Sequence, residues 1–333
     1  MNPLELEKLD SLDHRIPGWK TFPSERRNCP FCGEYSNPLF LRPDSLPVSQ
    51  CSQCRCFYVS VRMNDDALNT FYDRYWSDTC PRSLTDEMAL YLVASASNRA
   101  AADHCLLKLG ALSGTWKDRK VLDVGCGFGE KTTMMKALGA SVVGIDISSE
   151  AIAFMGERLD IQVYPSTIEA LSGFVNHFDF VTMFEFVEHP LEPSDAIRAA
   201  FEKLKTGGLL VIVSPNGTEG ERWIKEKDGW PGFRAELEHM QYLHVETISY
   251  LAGVFGFRIL HLEQFGFRFA QDALSCRNTA SPGRMRLRRL VKGLPGVRQA
   301  VYTLRHFQTR LRSVGIPPRE AGNYHLFAIL QKR

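Results

Sequence analysis

No run of about 18 uninterrupted apolar residues, the length a membrane-crossing helix needs, occurs in these 333 residues. That excludes a helical membrane span. The stretch MNPLELEKLD lacks the apolar core of a secretory signal. The expected compartment is therefore the cytosol, with peripheral contact at a membrane as the alternative. The nine cysteines are then expected as thiols or metal ligands and not as disulfides. Internal repeats and low-complexity tracts are missing too, which argues against a solenoid or array. Acidic residues are absent between Asp272 and Glu320, where eleven Lys or Arg occur. Net charge is only +2 because the other 29 of the 40 basic residues face all 38 acidic ones. Such asymmetry points to a separate role for the basic segment.

What is present supports a real core: 44% of residues are hydrophobic, enough for one large domain or two smaller ones. Residues 1–23 read as a loose leader, 24–60 as a cysteine-bearing module, and 61–117 as a linker with N-terminal helices. The linker holds Tyr72, Tyr75 and Trp76, and an Ala- and Leu-rich helical stretch follows from Leu84 to Leu109. From residue 118 to 333 strands and helices alternate, with a basic helical insertion at 277–319. KVLDVG, SVVGIDI, IQVY, FDFVTMF, GLLVIVSP, RILHLEQFGFR and HLFAILQK read as strands. EKTTMMKALG, SSEAIAFMGERL with its serine cap, PSDAIRAAFEKLK and VETISYLAGVFG read as helices. Alternation at this spacing predicts an α/β fold with a mostly parallel sheet and helices on both faces.

Five cysteines fall within residues 24–60. CPFCG and CSQC give C-x2-C, eighteen residues, then C-x2-C, the spacing of structural zinc sites. Each knuckle turns the chain so that two thiolates point at one ion. Cys29, Cys32, Cys51 and Cys54 would close the coordination shell, so the zinc would be structural and not catalytic. Cys56 is the substitute for Cys54.

VLDVGCGFGE at 121–130 places Gly125, Gly127 and Gly129 directly after the first strand of the alternating region. In open α/β sheets the ligand crevice lies beyond the C-terminal strand ends. Glycine there lets the backbone turn sharply and approach a ligand closely. Asp146 ends the next strand, about 20 residues on, where a carboxylate suits the two hydroxyls of a ribose. The alternative is that it caps the following helix. A pyrophosphate is disfavoured: the third glycine comes one residue earlier than in G-x-G-x-x-G, Glu130 follows it, and Asp123 lies in the strand. A ligand with an ammonium and no phosphate fits better.

These residues resemble the class I S-adenosyl-L-methionine-dependent methyltransferases. VLDVGCGFG is similar to their first motif, VVGIDIS to the second and FDFVTMFEFVEHP to the fourth-strand motif. SPNG and HMQYLHVETISYLAGVFGF fit as well, so the likeness runs over roughly residues 95–268 and the last strand. TIEAL and MFEFVEH are most similar to the O-methyltransferases of ubiquinone biosynthesis. The resemblance implies a seven-stranded Rossmann-like sheet and S-adenosyl-L-methionine as cofactor. By position, Gly125, Gly127, Asp146 and Phe184 would contact it, and Arg99 would meet its carboxylate. Ile168 and Glu169 would lie near the adenine, and Asp123, Cys126, Gly129 and Ile147 complete the expected site. A cysteine ribbon followed by YDRYW resembles sugar, surface-glycan and natural-product methyltransferases, whose N-terminal module helps cover the substrate side.

A sulfonium methyl is already activated, so such an enzyme chiefly aligns the reactants and removes a proton where needed. Glu185, Glu188 and His189 follow the fourth strand at the crevice rim and are the candidate base. The resemblance implies that they hold a second, divalent metal able to acidify a catechol-like hydroxyl. The alternative is that His189-Pro190 merely ends the strand. His239 matches a histidine often facing substrate, and His244 sits where the next helix is capped.

In VRQAVYTLRHFQTRLRS, Val297, Val301, Leu304 and Leu311 share one helical face, and Arg298, Arg305 and Arg312 a neighbouring one. Residues 284–313 could meet an anionic membrane or a lipid-linked glycan, or could form a packed lid. The expected function is methylation of a small molecule, most simply on a sugar, glycan or metabolite hydroxyl. The rival is an RNA methyltransferase using the ribbon and basic segment. Against it, no NPPY-type base-amine motif follows the fourth strand.

Overall fold

The computed structural model describes residues 25–42, 46–62, 96–159, 161–226, 238–268 and 319–333. The leader 1–23, the aromatic stretch around Tyr72, Tyr75 and Trp76, Cys80, Cys276, the basic segment 284–313 and the side chain of Arg99 lie outside the described residues. Two compact units are present. The larger comprises Met1–Thr79, Leu106–Phe265 and Gly322–Arg333, and the smaller Cys80–Cys105 and Gly266–Ala321. Of the smaller, only residues 96–105, 266–268 and 319–321 are described.

The larger unit is built on a seven-stranded sheet. Its strands are β6 (Lys120–Val124), β7 (Ser141–Asp146), β8 (Val163–Pro165), β9 (Phe178–Phe184), β10 (Leu204–Pro215), β12 (Phe257–Arg268) and β13 (Arg319–Lys332). The order is β12-β13-β10-β9-β6-β7-β8. The four pairings from β10 to β8 are parallel, and β13 runs antiparallel to β10. The expected Rossmann-like seven-stranded sheet is thus present, mixed in direction and flanked by helices. These are α1 (Ala96–Ser113), α2 (Glu130–Ala137), α3 (Ser149–Leu159), α4 (Pro193–Lys203), α5 (Gly217–Glu226) and α6 (Val245–Phe255). Among the described residues no helix is long and apolar enough to cross a membrane.

The sequence explains why the central strands bury. Four of the five β6 residues and six of the seven β9 residues are buried, as runs such as VLDV and FVTMF require of strands covered on both faces. Leu122, Val181, Ile212 and Leu330 meet in one apolar cluster across four strands. Each such side chain contributes about 1.5–3 kcal/mol by leaving water.

Chain order places the site. From β6 the chain moves outward through β7 and β8, then returns to lay β9 on the other side of β6. The crevice at such a reversal is where open α/β sheets bind ligands.

The cysteine-bearing segment is not a detached module. Its strands β2 (Pro38–Leu41), β3 (Pro47–Gln50) and β4 (Phe57–Val59) form a four-stranded sheet with β11 (Gln241–Tyr242), in the order β11-β4-β3-β2. β11 lies between α5 and α6 in the chain, so the segment is stitched into the larger unit by backbone hydrogen bonds. A separate pair joins β1 (Glu25–Arg26) to β5 (Val61–Arg62).

Candidate functional site

The loop leaving β6 carries three glycines with left-handed backbone: Gly125 (φ 67), Gly127 (φ 51) and Gly129 (φ 77). An added Cβ on Gly125 would lie 2.6 Å from Phe186 Cδ2. Glycine is required there twice over, by φ and by the ring of the neighbouring loop. Gly125→Ala is expected to destabilise the fold by about 1–3 kcal/mol from backbone strain alone and to weaken ligand binding by displacing the loop. Thermal melting checks the first effect and calorimetry the second.

Asp146 ends β7 beside this loop. Its Oδ2 accepts from the Gly127 N–H at 2.8 Å and its Oδ1 from the Ser148 N–H at 2.8 Å. Each oxygen keeps a further lone pair, and the residue remains partly accessible. The carboxylate is pushed above its ordinary pKa by burial, against the pull of the Ser148 and Gly127 amides. The cap of α3 comes from Ser148, whose Oγ accepts from the Ala151 N–H at 3.3 Å.

Asp123 lies differently. Only 2% exposed, it accepts from Thr132 Oγ1 at 2.6 Å and Thr182 Oγ1 at 2.7 Å. Both oxygens face hydroxyls, one from α2 and one from β9, so the side chain braces the loop from beneath. Burial also drives its pKa upward, partly opposed by those hydroxyls. Cys126 turns inward, its Sγ 3.6 Å from Met155 Sδ, and burial raises its pKa strongly. Ile168 is fully buried within the apolar cluster, whereas Ile147 and Glu169 are exposed. Phe184 is buried at the end of β9.

The segment after β9 carries the acid–base candidates. Glu185 has φ 48, an uncommon backbone state for a non-glycine residue. Its Oε1 lies 3.7 Å from His325 Nε2. Glu188, His189 and His239 instead form a group whose ligand atoms all lie within 4.8 Å of one another. The ring centroids of His189 and His239 are 4.9 Å apart, edge to face. The expected trio of Glu185, Glu188 and His189 is therefore corrected in one member: the turn at Glu185 carries it toward His325, and His239 takes its place. One carboxylate and two imidazoles suit a divalent cation. His244 is the N-cap of α6, its N–H donating to Thr247 Oγ1 at 3.0 Å. Its ring is buried 3.5 Å from Glu221, and burial lowers its pKa to about 4.

The four expected metal cysteines converge. Cys29 Sγ lies 3.5 Å from Cys54 Sγ and Cys32 Sγ 3.3 Å from Cys51 Sγ, with all four within 4.8 Å. Bonds of about 2.3 Å in a tetrahedral zinc site would set sulfurs about 3.8 Å apart, so the donor set fits. The knuckles match each other. Gly33 N–H donates to Cys29 O and Arg55 N–H to Cys51 O, and both residues have positive φ, 75 and 66. Cys56 stands outside the group, bonded to Phe57 O. Composition and spacing mark these cysteines but not Arg27, Arg42 and Gln241, whose side chains donate to backbone carbonyls around His189 and His239. In Thr182 the signal was present: one hydroxyl within the apolar run FVTMF.

A family model described as a methyltransferase domain matches residues 91–262, just over half of the chain. Similar curated proteins include the ubiquinone biosynthesis O-methyltransferases of Pseudomonas entomophila (strain L48), 38% identical over 104 residues, and Pseudomonas putida (strain W619), 36% identical over 104 residues. Each match covers 29% of this chain and 45% of the relative, so the chain spans about half the length of the curated relatives it matches. A solved structure of a SAM-dependent methyltransferase from Archaeoglobus fulgidus is similar at 23% identity and a TM-score of 0.47, covering 71% of this chain and 95% of that one. The domain match embraces the glycine loop, Asp146 and the β9 segment, and by its extent this chain belongs to the methyltransferase-domain family.

Proposed function

We propose that this chain transfers a methyl group from S-adenosyl-L-methionine to a small molecule, at a hydroxyl of a sugar, glycan or other metabolite. The carrying observation is the Gly125–Gly129 loop facing the Asp146 carboxylate at the sheet's reversal point. Bound there, the cofactor supplies an activated methyl group. Asp146 offers its remaining lone pairs to the ribose hydroxyls, and the glycine backbone lets the ligand lie close. His189 and His239, edge to face at the rim, are placed to accept the acceptor's proton. The names of the matched relatives support a hydroxyl acceptor.

Residues 24–60 serve in this reading as a zinc ribbon, with the ion held structurally by Cys29, Cys32, Cys51 and Cys54. In the alternative to that base role, Glu188, His189 and His239 would instead direct their lone pairs at a divalent cation, which would supply acidification of the acceptor hydroxyl. The basic segment 284–313 is read as the contact for an anionic or lipid-linked acceptor in the cytosol.

Incubation with methyl-labelled S-adenosyl-L-methionine, a small-molecule extract and total RNA tests the reading. Label is expected in the small-molecule fraction, reduced by roughly 10²–10⁴-fold in His189→Ala, the usual scale of a lost acid–base group. Label confined to RNA contradicts it.

A further inference from the structure

The two histidines come from segments fifty residues apart, and neither ring is fixed by regular secondary structure. What holds them in register is a buried polar network rooted two residues before Cys29. Arg27, 5% exposed, donates through Nη1 to Val59 O and Met240 O, both at 3.3 Å. Through Nη2 it donates to Leu191 O, and to Gln241 Oε1 at 2.8 Å. Gln241, fully buried, passes the connection on: its Nε2 donates to Val187 O at 2.6 Å and Pro190 O at 2.8 Å. Met240 N–H closes on Glu188 O at 2.7 Å.

Four of the five carbonyls from Val187 to Leu191 are thereby tied to Arg27, Met240 or Gln241. The fifth residue position, His189, presents its ring to His239. On the other side, Arg42 Nη1 donates to His239 O, and Val59 N–H to Met240 O at 2.8 Å. A planar five-donor fork suits this task, because one guanidinium reaches acceptors on three segments at fixed angles. Lysine, a single ammonium on a flexible stem, cannot reproduce it.

We propose that Arg27, acting through Gln241, is a positioning residue that sets His189 against His239. This rests on the reading of that pair as the acceptor-side groups. The cysteine-bearing segment thus builds the acceptor side of the site, while the glycine loop and Asp146 form the cofactor side.

The test is a through-space NMR cross-peak between the two imidazole rings in histidine-labelled full-length protein. Assignment uses His189→Gln and His239→Gln, and S-adenosyl-L-methionine affinity is measured by calorimetry in parallel. In Arg27→Lys the cross-peak is expected to be lost. Cofactor affinity should change by no more than about twofold, because Arg27 and Gln241 hydrogen-bond to neither the glycine loop nor Asp146. Should Arg27→Lys fail to fold, Gln241→Leu, which removes the two donors to the 187–190 loop and keeps Arg27, carries the same expectation. A cross-peak retained in either folded variant overturns the proposal. So does its loss together with cofactor binding in both, which would mark a purely structural role, and so does its absence from the wild-type protein. A wild-type chain that shows the cross-peak but binds no S-adenosyl-L-methionine contradicts the proposed function instead, and the comparison of variants still decides the role of Arg27.

Discussion

Asp146→Ala is expected to weaken S-adenosyl-L-methionine binding by roughly 10²–10⁴-fold, from two lost bonds of about 1.5–3 kcal/mol each to a charged acceptor. The fold should survive. Removing the carboxylate leaves the Gly127 and Ser148 amides without this acceptor, but it also removes a charge whose burial is unfavourable, as the raised pKa records. Asp146→Asn, which keeps an acceptor oxygen and loses the charge, should fall between. The same pKa direction sets a pH dependence. Protonation takes away the accepting form, so affinity should decline on acidification, beginning above the ordinary carboxylate range. The Asn variant should lack that decline. Calorimetry across pH measures both, and unchanged affinity in Asp146→Ala would remove the residue from the cofactor site.

Loss of the cysteine centre should unfold more than the cysteine segment. Cys29, Cys51 and Cys54 belong to the same apolar cluster as Leu122, Val181, Ile212 and Leu330 of the large sheet. Cys54 O accepts from Thr247 Oγ1 at 2.8 Å, Arg55 pairs with Glu221 at 2.9 Å, and β4 pairs with β11. Structural zinc contributes about 10–16 kcal/mol in small modules, comparable with the whole stability of a typical domain, about 5–15 kcal/mol. Cys54→Ala, or chelation, is therefore expected to abolish folding of the large unit at 37 °C in one cooperative loss. Elemental analysis should find one zinc per chain in wild-type protein purified without added metal. Metal-free wild-type protein with an unaltered melting curve would contradict this.

Sequence and structure agree where one residue type serves one geometry. The apolar runs that cross the sheet on both faces, the glycines at positive φ and the paired C-x2-C knuckles were all legible, because few other arrangements accommodate them. Asp123 and Asp146 show where legibility stopped. Both are acids beside the same loop, and the sequence alone does not separate Asp123, held by the hydroxyls of Thr132 and Thr182, from Asp146, held by backbone amides. The exchange of Glu185 for His239 followed from one left-handed residue after β9, which no periodicity signals. Nor does a two-residue strand such as β11 carry a pattern, so the joining of the cysteine segment to the large unit was hidden, and with it the role of Arg27. The aromatic and basic stretches at 72–76 and 284–313 lie outside the described residues.

The crevice beside Asp146 is expected to take S-adenosyl-L-methionine and not a phosphate-bearing dinucleotide. Titrating the wild-type chain in a calorimeter with S-adenosyl-L-methionine and, separately, with NAD tests it most directly. Saturable binding of one S-adenosyl-L-methionine per chain and no heat from NAD are expected. Binding of NAD with none of S-adenosyl-L-methionine would contradict it.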